Sequence, residues 1–244
     1  MNRVSSGVES FDRILGGGFP VPSTLLVIEE TTGAEATIFW RQMSWNLLNE
    51  GFHCLVYAMD KSADDLKDLF RSVGFEIEPF EKAGALKFAD FFSLGVEAVG
   101  EKLMNEPEKV VERVYNQKDL IQAGRDFAAE AKRRNIKDML VVLDSLSPIF
   151  AASSEKKDVF LLSQTFKYAI RYFKALGIVV LQKGVCDKPI EDLVRHIADG
   201  TIEFSYGEEE RNQLWVRVQK IPGAITETVP VTIENGKMEF HLPP

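Results

Sequence analysis

Apolar residues along this chain fall into short dense blocks, separated by stretches with a helical period. Thr24 to Glu29, His53 to Met59, Leu86 to Phe92, Met139 to Leu143 and Ile178 to Leu181 are each dominated by them. Blocks of that length are expected of central parallel strands covered on both faces, where neither face can be polar. Between the blocks, residues 34–49 set Ile38, Trp40, Met43, Trp45, Leu47 and Leu48 on more than one side, which predicts a buried or partnered helix. Ser62-Ala63-Asp64-Asp65 has the form of a capping box opening a helix to about Val73. Residues 119–134 carry Leu120, Ala123, Phe127 and Ala131 at near-helical spacing, and residues 158–175 predict a further helix with Gly177 as its C-cap glycine. Strands alternating with helices predict an α/β fold with a mainly parallel sheet.

Three stretches break this rhythm. Met1 to Pro22, rich in Gly and Pro, reads as an irregular lead-in to the first strand. Residues 95–118 are polar and charged and read as a variable insert, with a short helix able to open at Pro107. Residues 201–205, 214–219, 229–234 and 237–240 alternate in polarity, and Asn235-Gly236 is a hairpin signal, so an antiparallel extension is expected at the C-terminal side. The aromatics of residues 158–175 lie on two faces: one packs on the sheet, and the other either sits under the insert or meets a neighbouring subunit or partner.

Composition narrows the class. With 45% hydrophobic and 27% charged residues the chain is too apolar for disorder, and 244 residues suit one α/β domain. A formal charge of −8 argues against a large nucleic-acid surface, which needs clustered cations to release counterions. The one compact basic cluster, Lys132-Arg133-Arg134, closes a predicted helix, where cations suit the macrodipole. No apolar run is long enough to span a bilayer and no export signal is visible, so membrane insertion is not expected and a cytoplasmic location is. Cys54 and Cys186 lack any zinc-binding pattern. Cys186, Asp187 and His196 have no spacing that specifies a triad, and His53 and His241 none that specifies a metal site.

The informative chemistry lies after the first strand. A strand, a tight loop and a helix over residues 25–40 make the setting of a P-loop, G-x-x-x-x-G-K-[ST], whose amides cradle phosphates while its Lys reaches the outer oxygens and its hydroxyl binds Mg²⁺. With Gly33 as the interior glycine, Glu30 and Glu35 stand at the two required glycines, Ala36 at the lysine and Thr37 at the hydroxyl. A charge-assisted phosphate contact of about 1.5–3 kcal/mol is thereby lost. Carboxylates ~4 Å from a phosphate would add about 4 kcal/mol of repulsion at an effective dielectric near 20.

The flanks identify the setting. Ser6-Gly7 through Leu15-Gly16-Gly17-Gly18-Phe19-Pro20, Asp144-Ser145-Leu146-Ser147 after an apolar run, Ala198-Asp199-Gly200-Thr201-Ile202, Val218-Gln219-Lys220-Ile221-Pro222-Gly223 and Val231-Thr232-Ile233-Glu234-Asn235-Gly236 resemble landmarks of the KaiC-like members of the RecA superfamily, over nearly the whole chain. The resemblance implies a RecA-like three-layer α/β/α P-loop NTPase fold, as one domain over residues 1–244. It also implies that Asp144 marks the strand that holds the Mg²⁺ hydration shell opposite Thr37. The family's glutamate pair, which polarises the attacking water, falls on Asp60 and Lys61. Its K-x-R pair, which reaches a neighbour's γ-phosphate, falls on Lys220 and Pro222. Lys183, at the end of another central strand, is the one cation able to replace the P-loop lysine from across the sheet.

Losses in three separate segments thus fall on one reaction. The expectation is an inactivated KaiC-like protein that binds no cofactor and acts as a regulatory or structural partner of other proteins, among them an active RecA- or KaiC-type ATPase, or of its own copies in a ring. The alternative is a nucleotide switch holding ATP and Mg²⁺ through Gly33, Thr37, Asp144, Lys183 and Lys220, with Asp60 and Asp144 as vestigial catalytic carboxylates and little turnover. A recombinase-like role in DNA repair is disfavoured by the acidic balance.

Overall fold

The computed structural model describes residues 2–30, 35–100, 117–152, 156–207 and 213–242. The N-terminal part runs β1 (Asn2–Val4), α1 (Glu9–Ile14), β2 (Phe19–Val21), β3 (Ser23–Glu29), α2 (Glu35–Asn49), β4 (His53–Ala58) and α3 (Ala63–Arg71). Then come α4 (Glu78–Lys82), β5 (Leu86–Asp90), α5 (Phe91–Gly100), α6 (Gln117–Arg133), β6 (Met139–Asp144), α7 (Ser147–Ala152) and α8 (Lys156–Phe173). The chain continues with β7 (Leu176–Gln182), α9 (Lys188–Ile197), β8 (Gly200–Tyr206), β9 (Leu214–Gln219), β10 (Val229–Glu234) and β11 (Lys237–Phe240).

Nine strands form one sheet in the order β11-β10-β9-β8-β3-β7-β6-β4-β5. From β5 to β8 every pairing is parallel, and from β8 to β11 every pairing is antiparallel. All of β3 is buried, and its partner β7 is buried except at Gln182, so the two most continuous apolar blocks lie together at the centre. Helices cover both faces. Phe39, Trp40 and Met43 of α2 and Leu66 and Phe70 of α3 pack on one side. Phe127 of α6, Val159 and Ile170 of α8 and Ile190 of α9 pack on the other. This is the expected RecA-like three-layer arrangement with an antiparallel extension.

Several sequence expectations change. The lead-in is ordered: β1 and β2 pair antiparallel around α1, whose Phe11 and Ile14 are fully buried, and Gly16 to Gly18 turn the chain at positive φ. The block at Leu86 ends at Asp90 rather than Phe92, because the Asp90 carboxylate accepts the Ser93 N–H at 2.8 Å and opens α5; it also accepts the Ala63 N–H at 2.8 Å. Gly177 is not a C-cap. It lies inside β7, the turn after α8 is made by Lys174 at φ 54°, and a Cβ at 177 would sit 2.7 Å from Ile170. Residues 95–100 of the expected insert belong to α5, and residues 101–116, with the helix expected at Pro107, lie outside the described residues. The capping box at Ser62 and Asp65 is present, and Asn235 and Gly236 both take positive φ, as a type I′ hairpin turn requires.

Candidate functional site

The C-terminal ends of β3, β4, β6 and β7 meet the N-terminus of α2, the position at which open α/β sheets bind ligands. Register brings the parts together: Glu29 lies beside Gln182, and Ala58 beside Asp144. β3 ends at Glu29 and α2 begins at Glu35, and the side chain of Glu29 reaches the start of that helix. Its Oε2 accepts the Ala36 N–H at 2.9 Å. A carboxylate thus occupies the helix N-terminus, whose unpaired N–H groups and positive dipole end favour an anion.

The neighbouring glutamates are equally committed. Glu30 pairs with Lys183 at 2.7 Å and accepts the Tyr206 N–H at 3.2 Å. Glu35 is buried and accepts the Tyr206 hydroxyl at 2.6 Å. Lys183 also lies 3.5 Å from Glu203 of β8. Asp60, just beyond β4, accepts the hydroxyl of Ser145, whose oxygen in turn accepts the Ser147 N–H at 3.0 Å. Asp144 is 4% exposed and Thr37 5%.

Burial of several acids in one place sets the electrostatics. Desolvation pushes the Glu29 carboxyl up to about 7, with Asp144 and Glu35 adding repulsion, while the Ala36 N–H and Lys61 favour the charged form. Desolvation likewise pushes Asp144 up to about 6, with Lys61 opposing and Asp60 reinforcing. The Trp40 indole also favours its charged form, although Nε1 makes no hydrogen bond of ordinary geometry. Asp60 is raised by burial, against the Ser145 hydroxyl and Lys61. Lys61, which stands where a second carboxylate was sought, therefore faces three acids and lowers each of them. Glu29 and Asp144 can thus hold protons close to neutral pH.

Of the residues singled out from sequence, Thr37, Asp60, Asp144 and Lys183 converge here, while Gly33 lies outside the described residues. Lys220 does not join them. Its ammonium donates to the carbonyls of Arg195, His196 and Ala198 at 2.8, 3.1 and 2.7 Å, capping α9. That places it at the opposite edge of the sheet, where Asp199 bonds the start of β3 at Thr24. Cys186 precedes α9, Asp187 caps its first turn, accepting the Ile190 N–H at 2.9 Å, and His196 is in its last. His53 lies at the far end of β4, and His241 bonds Thr232. Among the described residues no group of three or more acids, His or Cys could hold a metal ion. No helix among them is long and apolar enough to cross a membrane. Sequence reading missed Glu29 and Tyr206. Glu29 carried a signal, as the one acid closing an otherwise apolar strand directly before the loop.

Comparison with known proteins gives a consistent picture. A family model described as "ATPase: KaiC" matches residues 4–237. A UPF0273 protein of Thermotoga maritima is 30% identical over 152 residues, 62% of this chain and 58% of that protein, so the match spans little more than half of the relative's length. One from Aeropyrum pernix is 27% identical over 85% of this chain and 79% of its own. The circadian clock oscillator protein KaiC of Parathermosynechococcus lividus is 31% identical over 43% of this chain and 19% of its own. Among solved structures, a KaiC-like protein from Pyrococcus horikoshii superposes with a TM-score of 0.75 at 20% identity, covering 99% of both chains.

Proposed function

The chain belongs to the KaiC ATPase family, and from that premise we propose that it works as a regulatory or structural partner of other proteins and not by hydrolysing ATP. One observation carries the reading: the Glu29 carboxylate sits on the N-terminus of α2, where a phosphate would have to bind. A triphosphate would need to displace it and would then meet Glu30, Glu35 and Asp144, with ~4 kcal/mol of repulsion from each acid at ~4 Å. The first two are tied to Lys183 and Tyr206, so the carboxylates are built into the fold. The donors present suit a closed acid cluster better than a nucleotide with Mg²⁺. Thr37 and Asp144, both buried at this edge, are the observation that favours the second reading, a nucleotide switch with little turnover.

The test is the melting temperature with and without millimolar Mg-ATP. A ligand held only by the native state raises stability by RT ln(1 + [L]/Kd), about 2.7 kcal/mol at a hundredfold excess over Kd. The natural protein is expected not to shift. Glu29→Ser/Glu30→Gly/Glu35→Gly/Ala36→Lys is expected to gain a shift of several degrees, and the same variant retaining Glu29 to gain little. A shift of several degrees in the natural protein would replace the partner reading with the switch.

A further inference from the structure

Away from the acid cluster, α6 and α8 stand apart over the sheet and leave, among the described residues, an open groove of about 910 Å³. Its floor is Leu55, Tyr57 and Leu143 from the strands, and its walls include Phe127 of α6 and Phe166 of α8. The one buried hydroxyl of the floor, Tyr57, already donates to Leu120 O at 2.9 Å, and Gly124 leaves room for it, since a Cβ there would lie 2.7 Å from that oxygen. The floor therefore asks for no polar partner. The rim does. Arg125, Lys132 and Lys174 line the groove, and among the described residues none of them is in an ion pair and no Asp or Glu lines it, in a chain where acids outnumber bases 37 to 29.

We infer that this groove is the docking site of a partner protein's amphipathic helix with acidic flanks. Length favours a helix: α6 lines the groove up to its end from Leu120 and the wall continues to Asn135, about 22 Å at 1.5 Å per residue, or some four helical turns. Continuity favours a protein over a small amphiphile. Tyr168 and Tyr172 form the outer edge at 66% and 81% exposure, and Leu161 extends the same stripe of α8, so apolar surface runs well outside any pocket a small molecule would fill. Apolar anchors at helical spacing entering such a groove are a recurrent mode of recognition, with rim charges selecting the partner.

The inference deepens the partner reading above and supplies the partner's chemistry. Since the groove shares no residue with the acid cluster, Mg-ATP melting and groove binding can fail separately. The probe is a fluorescein-labelled four-turn peptide with Leu at i, i+3, i+4 and i+7 and Glu at its flanks, titrated by anisotropy against the full chain. The control peptide carries Lys in place of each Glu, and sodium laurate is the competing amphiphile. The Glu peptide is expected to bind in the micromolar range, and the Lys peptide not to. Arg125→Glu/Lys132→Glu should weaken the Glu peptide by about tenfold and admit the Lys peptide, and Tyr172→Ala should weaken binding severalfold. All three positions are exposed, and an unchanged melting temperature certifies the variants. Any of four results would overturn the inference: no binding up to millimolar peptide, equal affinity for both peptides, displacement by laurate below its micelle-forming concentration, or a concentration-dependent dimer that Tyr172→Ala abolishes.

Discussion

Glu29 has the composition of a strand end and the position of a ligand. Its carboxyl, like that of Asp144, is held above its ordinary value by burial, and a carboxyl that gains protons on folding makes stability fall as pH rises. The contribution is complete below the unfolded values and lost across the window from 4.5 to about 7 for Glu29 and from 3.8 to about 6 for Asp144. At most about 3 kcal/mol per group is at stake, or roughly 6–12 °C in a chain of this size. The natural protein should therefore melt higher at pH 5 than at pH 8, and Glu29→Gln/Asp144→Asn should flatten the difference. A melting temperature equally pH-dependent in the double variant would refute this origin. Lys61→Met removes the cation facing all three acids. It is expected to lower the melting temperature at pH 8 more than at pH 5, where Glu29 and Asp144 are protonated. Equal losses at both pH values would mean that Lys61 acts through packing alone.

The elements around the site are fixed by caps that can be tested one at a time. Ser62 and Asp65 exchange side-chain and backbone hydrogen bonds at the start of α3, and Ser62→Ala should cost about 1 kcal/mol, read as a loss of roughly 2–4 °C. Gly177 lets α8 close on β7, and Gly177→Ala forces its Cβ against Ile170 at an expected cost of about 1–3 kcal/mol. Were the Gly177→Ala variant as stable as the natural protein, the close approach of α8 would not be what requires glycine there. The longer alternations of apolar block and helix were legible because two covered faces leave no choice of residue. The short helices α4, α7 and α9 were not read. α9 did carry a signal, since Asp187-Lys188-Pro189 is an N-cap followed by a proline in the first turn. α4 has no fully buried residue and hence little pattern to read.

At the scale of the molecule, one sheet carries a core on each face, and β3 and β7 contribute side chains to both. Cooperative unfolding is expected, with far-UV circular dichroism and tryptophan fluorescence tracing the same urea transition. Trp40 and Trp45 report from the α2 face, so in a Trp215→Phe background, which removes the third tryptophan on β9, a fluorescence transition that precedes the loss of secondary structure would mean that the two layers unfold separately. The groove and the acid cluster divide the molecule's remaining chemistry between a helix layer and a sheet edge. Binding at one should leave the other's pH response unaltered.

The sequence by itself determined the sheet and the family and singled out the acids that follow β3, because each rests on local pattern: apolar blocks, spacing and landmark segments. Only the tertiary structure decided what those residues do. Lys183 could be placed near the loop from strand order, but its pairing with Glu30 depends on two strands 153 positions apart lying side by side. Lys220 looked like part of the same chemistry and caps α9 at the other edge, because β9 runs antiparallel and carries it away. Glu29 looked like the end of a strand until the chain folded back on it. Periodicity tells which face of an element is buried. It does not tell what a buried charge meets there, since that partner comes from another part of the chain.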